Sequence, residues 1–155
     1  MNLKLNNISI IFLTALYIPV LFLGLFDLDE GAFAATSLQM LKEQNFLIPI
    51  IGDEIRLEKP ILTYWIQALS ISIWGANEFA LRLPSVLASF FWAYSFSNFV
   101  KKYDSSISAS DIFLNLLTLP GVFIISFAAT ADAFLNLFIT LLMIEIFKYS
   151  KNQKD

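Results

Sequence analysis

Residues 112–144 read IFLNLLTLPGVFIISFAATADAFLNLFITLLMI, 33 positions with a single charge, Asp132. An uncharged run of that length belongs to chain that crosses a bilayer core, which takes about 20 apolar residues. As one straight helix it would reach ~50 Å, well beyond that core. The stretch therefore predicts two spans that reverse near residues 128–131, with Asp132 at the outward end.

The rest of the chain repeats the pattern. Residues 8–26 and 83–100 carry no charge, and Glu145 and Lys148 can snorkel to the interface from the end of the last run. Over the 155 residues, 57% are hydrophobic and the mean hydropathy is +0.69, more apolar than a soluble domain of this size. The N-terminal run has one basic residue ahead of it, Lys4, and no small-residue cleavage pattern after it, so it reads as a retained anchor rather than a signal peptide.

Residues 61–77 form a further uncharged run, broken by Thr63, Gln67, Ser70 and Ser72. The distribution of basic residues decides whether it spans. If it lies at the interface, Lys4, Lys101, Lys102, Lys148, Lys151 and Lys154 fall inside, and Lys42, Arg56, Lys59 and Arg82 outside. If it spans, only Lys4 and Arg82 stay inside. The expected fold is thus an all-α integral membrane domain over 1–155. It has four spans, at about 8–26, 83–100, 112–130 and 132–148, and both termini are cytoplasmic. An extracytoplasmic loop of juxtamembrane helices, 27–82, joins the first two spans, and the bacterial inner membrane is the expected location.

That loop holds the charges. Asp29-Glu30 opens a helix, where acids suit the positive end of the dipole. Ala34, Leu38 and Leu41 fall on one face, as in an amphipathic helix lying on a membrane, and Asn45 is the expected stop. Residues 46–51 read as extended, Gly52-Asp53 as a turn, and Pro60 as the start of a second helix. Tyr64, Trp65 and Trp74 are aromatics of the kind found at head-group depth.

The chain has no Cys, which excludes disulfides and thiolate metal sites, and no His, the commonest general base. Acid–base chemistry falls to Asp, Glu, Lys or Tyr, and a net charge of −3 argues against nucleic acid binding. Asp29 with Arg56 and Lys59 matches the demands of transfer from a phosphate. A carboxylate holds or accepts the nucleophile's proton, and positive charge meets the leaving group. Blander readings stand beside this one. Asp29-Glu30 also suits a helix start, Glu58-Lys59 a solvated pair, Asp132 an interface loop, and Arg82 an interface anchor. Phe90-Phe91-Trp92 reads as packing.

Several pieces, in order along nearly the whole chain, resemble the GT-C membrane glycosyltransferases of the aminoarabinose transferase and protein O-mannosyltransferase superfamily. They are Asp29-Glu30 after the first span, Met40-Leu41 and Pro49, and Leu57-Glu58-Lys59-Pro60 with Tyr64-Trp65. The segment from Gly75 to Ser85, with Arg82, and then Thr130-Ala131-Asp132 complete the series. The resemblance implies transfer of a sugar from a polyprenyl-phosphate donor to a lipid, protein or glycan acceptor. It implies Asp29 and Asp132 as catalytic acids, and Glu30, Arg56, Lys59 and Tyr64 as substrate-binding residues. Glu58 would be a possible ligand of a divalent metal. Two positions depart from the family pattern: Ala32, where relatives often carry Arg, and Phe33, where they often carry Tyr. Family members usually have many more spans, so the expectation is the N-terminal part of such an enzyme as a short or split chain, with a second chain as a possible partner. The alternatives are a non-catalytic membrane protein that binds polyprenyl phosphate or pairs with another chain, and a small transporter-like hairpin protein.

Overall fold

The computed structural model describes residues 5–25, 28–104 and 106–152. Lys4, Phe26, Asp27 and Lys154, which enter the sequence reading, lie outside the described residues. Within them the chain is helical apart from one small hairpin. The elements are α1 (Asn7–Val20), α2 (Leu28–Glu43), β1 (Ile50–Ile51), β2 (Glu54–Ile55), α3 (Ile61–Trp74), α4 (Glu78–Tyr103), α5 (Ala109–Thr118), α6 (Pro120–Phe127) and α7 (Asp132–Asn152).

One helix, Asp132–Lys151, is long and apolar enough to cross a membrane. A second candidate is α5 with α6, which meet the same test only together and are bent by 74°. The stretch expected as one span over 112–130 is therefore two helices. The cause lies in Leu119-Pro120. Proline has no N–H to continue the ladder and pushes the residue before it out of the helical region. Leu119 accordingly sits at ψ 128°, and Pro120 opens α6. In a continuous helix the carbonyl of Leu117 would accept from residue 121. Instead it accepts from the hydroxyl of Tyr17 on α1, at 2.9 Å. A distant side chain thus satisfies backbone that a bend in an apolar medium leaves open.

The first helix is also shorter than its uncharged run. Fourteen residues make a helix of about 21 Å, against a bilayer core of about 30 Å. Its end has an identifiable partner. The Arg82 guanidinium donates from Nη1 to the carbonyl of Val20 at 2.8 Å and from Nη2 to that of Gly24 at 3.0 Å. A cation suits the carbonyl end of a helix, and here it is a buried one, with Arg82 fully enclosed.

The central element is α4, which packs against α3, α5, α6 and α7. It starts where the Asn77 side chain accepts from the N–H of Ala80 and runs for 26 residues. Ser85, Ser89, Ala93 and Ser97 recur at every fourth position and are fully buried. Small side chains at that spacing form a seam along which neighbouring helices approach closely. The aromatics beside the seam behave as the sequence predicts for Phe90, which stacks edge-on with Tyr17 and Phe113.

The charged loop folds as two packed helices with a hairpin between them. Asp29 and Glu30 lie in the first turn of α2, and Gln44 beyond its end takes a positive φ of 55°. The strands pair Ile50 with Ile55 and Ile51 with Glu54, so the two-residue turn is Gly52-Asp53, with Gly52 at φ 63°. Gln39 fastens that turn to α2, since its amide both donates to the Gly52 carbonyl and accepts from its N–H. The face of α2 that packs on the rest of the chain is set by polar as well as apolar side chains. Leu38 is exposed, and the inner face carries Glu30, Phe33, Ala34, Ser37 and Met40. The polar members turn inward because partners wait there: Ser37 donates to Gln67 of α3 at 2.9 Å.

Candidate functional site

Asp29 sits between two cations. Arg56 Nη2 lies 3.5 Å from Asp29 Oδ1, and Lys59 Nζ lies 3.5 Å from Oδ2. These contacts are loose, since charge-assisted N–H···O bonds usually run about 2.7–2.9 Å. The tight contact is Arg56 Nε to Glu58 Oε1 at 2.7 Å.

Local structure explains how the four charges meet. The hairpin returns the chain over α2, where Arg56 N–H bonds to the carbonyl of Pro49 at 2.8 Å. Pro60 then starts α3, leaving Glu58 and Lys59 in the corner just before it. Trp65 Nε1 donates to the Phe46 carbonyl at 2.6 Å, tying the segment before the hairpin to α3. Phe33 forms the floor, with the Arg56 guanidinium 5.2 Å and the Lys59 ammonium 5.9 Å from its ring centre. Cations over an aromatic face are held by its quadrupole, so the Phe at this position still serves the two cations. Tyr64 packs against Phe33, with ring centres 5.2 Å apart.

Exposure separates these groups. The side chains of Asp29 and Glu58 are 51% and 60% exposed, and that of Arg56 only 8%. Arg56 Nη1 is buried with no hydrogen-bond partner among the described residues, a donor left over after Asp29 and Glu58 are served. The Glu58 carboxyl is held below its usual range, first by its own backbone N–H and then by Arg56. Burial pushes the Tyr64 phenol up, with Arg56 pulling against it, so Tyr64 is a neutral hydroxyl at neutral pH.

Two expected substrate contacts are enclosed. Tyr64 and Glu30 are both fully buried. Glu30 Oε2 pairs with Arg82 Nη2 at 2.9 Å, and its Oε1 accepts from the N–H of Ala129 at 2.7 Å. Asp132 is exposed at the start of α7 and accepts from Thr130 Oγ1 at 2.9 Å. It stands outside the Asp29 ion pairs, but its neighbour Ala131 packs against the Phe33–Met40–Tyr64 cluster, so its segment borders the site. Among the described residues no three acidic side chains converge as a metal centre would need. Glu58 has Arg56 on its oxygen, so a divalent ion there would need ligands from beyond these residues.

Arg82 is the structural residue the sequence reading undervalued. Its signal was present: a lone cation in an otherwise uncharged stretch, just inside a helix, must find a partner if buried. The partner, Glu30, lies 52 positions away and has no local mark. An apolar groove between α4 and α7, lined by Phe96, Phe99, Ile139, Met143 and Phe147, carries none of these charged groups.

The class is therefore an all-helical chain with at least one helix able to cross a bilayer and an exposed carboxylate held between two cations at a helix start. The chain belongs to the dolichyl-phosphate-mannose-protein mannosyltransferase family, a family of integral membrane proteins whose model matches residues 58–155. An undecaprenyl phosphate-alpha-4-amino-4-deoxy-L-arabinose arabinosyl transferase of Wigglesworthia glossinidia brevipalpis is 34% identical over 162 residues, covering 98% of this chain and 28% of that protein. A protein of the same description from Shewanella sediminis is 28% identical, over 88% of this chain and 26% of its own length. An uncharacterized protein of Aquifex aeolicus is 31% identical, over 89% of this chain and 30% of its own. The chain thus spans between 26% and 30% of the length of these relatives. No solved structure matches it.

Proposed function

We propose that these residues contribute to a polyprenyl-phosphate sugar transferase site, with Asp29 as the carboxylate that takes the acceptor's proton. The observation that carries this reading is the bracketing of Asp29 by Arg56 and Lys59. The acceptor oxygen or nitrogen bonds to the anomeric carbon while the bond from that carbon to the phosphate oxygen breaks. The proton passes to Asp29, and the leaving polyprenyl phosphate keeps the electron pair. Protonation removes the charge that holds Lys59 and Arg56. The two cations are then released toward the phosphate as its charge grows, where positive charge stabilises the transition state most. The spare Nη1 of Arg56 supports the same role. Asp132, on the bordering segment, orients the acceptor. Glu30 and Tyr64 act from behind the site rather than at the substrate, and no step is routed through a metal.

Four spans, cytoplasmic termini and an extracytoplasmic Asp29 face complete the proposal, supported by Lys101 and Lys102 at the end of α4 and by Lys148 and Lys151 near the end of α7. In this Cys-free chain, Ser106→Cys should resist an impermeant thiol reagent applied outside intact bacteria; labelling there overturns the topology. The activity test is transfer from a radiolabelled polyprenyl-phosphate sugar, by this chain alone and with any product of the adjoining reading frame. If Asp29→Asn leaves transfer unchanged, the catalytic role fails.

A second reading is favoured by the buried Nη1 of Arg56, a spare donor that suits holding a phosphate without transfer: a non-catalytic chain that binds polyprenyl phosphate or pairs with another chain. Saturable polyprenyl-phosphate binding without transfer in either preparation would select it.

A further inference from the structure

We propose that Glu30 is a positioning residue that sets the separation of Asp29 and Asp132, and that the buried charge of Arg82 holds Glu30 in register. The inference rests on the reading of Asp29 and Asp132 as the acidic groups of the transfer site.

The two exposed carboxylates belong to segments about a hundred residues apart in the chain, and the buried Glu30 side chain bonds directly from one segment to the other. Glu30 follows Asp29 directly, and its Oε1 accepts from Ala129 N–H at 2.7 Å, three residues before Asp132. The carbonyl of that same Ala129 accepts from Gln67 Nε2 at 3.0 Å. Gln67 is in turn fixed by Ser37, about two turns further along the same face of α2. Both polar groups of Ala129 are therefore gripped by the α2–α3 pair. Asp132 adds its own short link through Thr130 Oγ1, and the carbonyl of Thr130 accepts from Ser85 of α4.

A glutamine at position 30 could accept from Ala129 equally well, so the hydrogen bond alone does not call for a charge. Arg82 does. Its guanidinium is fully enclosed, bound to the carbonyls of Val20 and Gly24 and lies 5.5 Å from the centre of the Phe127 ring. A cation so placed requires a buried anion. The Glu30 carboxylate answers it with one oxygen and holds the 128–131 link with the other. Turning that carboxylate to satisfy another partner would break one of the two, so its orientation is fixed, and with it the start of α2 that bears Asp29.

The test uses paired nitroxide labels at Leu28→Cys and Leu135→Cys, two exposed positions flanking the acids, in the otherwise Cys-free chain in lipid nanodiscs. Pulsed electron–electron resonance should give one narrow distance peak in the parent. Glu30→Ala should lose that peak to a broad distribution. The paired variant Glu30→Gln with Arg82→Gln should stay broad, because the amide can still accept from Ala129 but no buried cation fixes its orientation. An unchanged narrow peak in Glu30→Ala overturns the proposal, and a paired variant as narrow as the parent overturns the role of Arg82. If Glu30→Ala does not fold, Ala129→Pro decides, since it removes the N–H that Glu30 accepts from and follows Ala128, which is already extended at ψ 129°, and a narrow peak there overturns the proposal. In transfer assays Glu30→Ala should lower kcat by about 100-fold with the donor KM preserved, as misplacement of a reacting group does. Transfer that survives Asp29→Asn while the Glu30→Ala distribution is broad removes the catalytic reading and leaves the positioning role intact.

Discussion

Lys59 Nζ stands 3.5 Å from Asp29 Oδ2, thirty residues away in the chain. The pair is half open to water, so it contributes little to folding. Lys59→Met should change stability by no more than about 1 kcal/mol. It should lower transfer from a polyprenyl-phosphate sugar by about 100-fold or more, the scale of losing one charge-stabilising donor. Denaturation of the variant alongside its transfer rate separates the two effects, and a loss of both together would place Lys59 in the scaffold.

Glu58 gives a pH prediction. Its folded carboxyl titrates below the usual glutamate range, so its hold on Arg56 is fully present above that range and is lost as the pH falls through the lowered value. Carbonyl-carbon NMR of labelled Glu58 should show a midpoint below that of a free glutamate, near 4.3. Arg56→Gln should raise the midpoint only part of the way back, because the backbone N–H of Glu58 is the larger cause. A full return would reverse the order of those causes.

Arg82→Ala should be the most damaging single change in the chain. It takes the cation from the buried carboxylate of Glu30, a loss of about 3–5 kcal/mol, and takes the donors from the Val20 and Gly24 carbonyls at the end of α1. Lys42, at the exposed end of α2, serves as a control whose replacement by Ala stays within about 0.5 kcal/mol. Reversible denaturation in mixed micelles measures both.

Tyr17→Phe keeps the ring contacts with Phe90 and Phe123 but removes the donor to Leu117. The cost should be about 1–3 kcal/mol for a buried carbonyl left unserved, and hydrogen exchange should rise first in the turn between α5 and α6.

Two glycines should respond in opposite directions. Gly31 lies inside α2, where an added methyl meets nothing, so Gly31→Ala should stabilise by about 1 kcal/mol. Gly52 also has open space but sits at a positive φ of 63°, and Gly52→Ala should cost about 1–2 kcal/mol. Thermal midpoints of the two variants check the pair.

Much of the loop was legible because its signals are local. The acids at 29 and 30, the Gly52-Asp53 turn, Pro60 and the break before Asp132 each mark a boundary through backbone chemistry that acts within a few residues. The inner face of α2 was hidden for the opposite reason. Periodicity marks Ala34, Leu38 and Leu41 as a face toward a membrane and gives no sign that Ser37 and Glu30 are drawn in by Gln67 and Arg82, partners that only the tertiary arrangement supplies. The seam of Ser85, Ser89, Ala93 and Ser97 was visible as a fourth-residue repeat, yet hydrophobicity counting passes over serine. The 74° bend was written in Pro120, but an unbroken uncharged run obscures it when length alone is measured.

The Asp29 cluster contains two carboxylates and two cations, and so carries no net charge. Such a surface projects almost no field beyond a few ångströms, and an anionic donor gains no electrostatic pull toward it from a distance. Encounter then depends on lateral diffusion within the bilayer leaflet. Discrimination begins only on contact, when the incoming phosphate competes with Asp29 for the same two cations. The rate of arrival should therefore respond weakly to ionic strength, and the ease with which those cations change partners should govern what happens next.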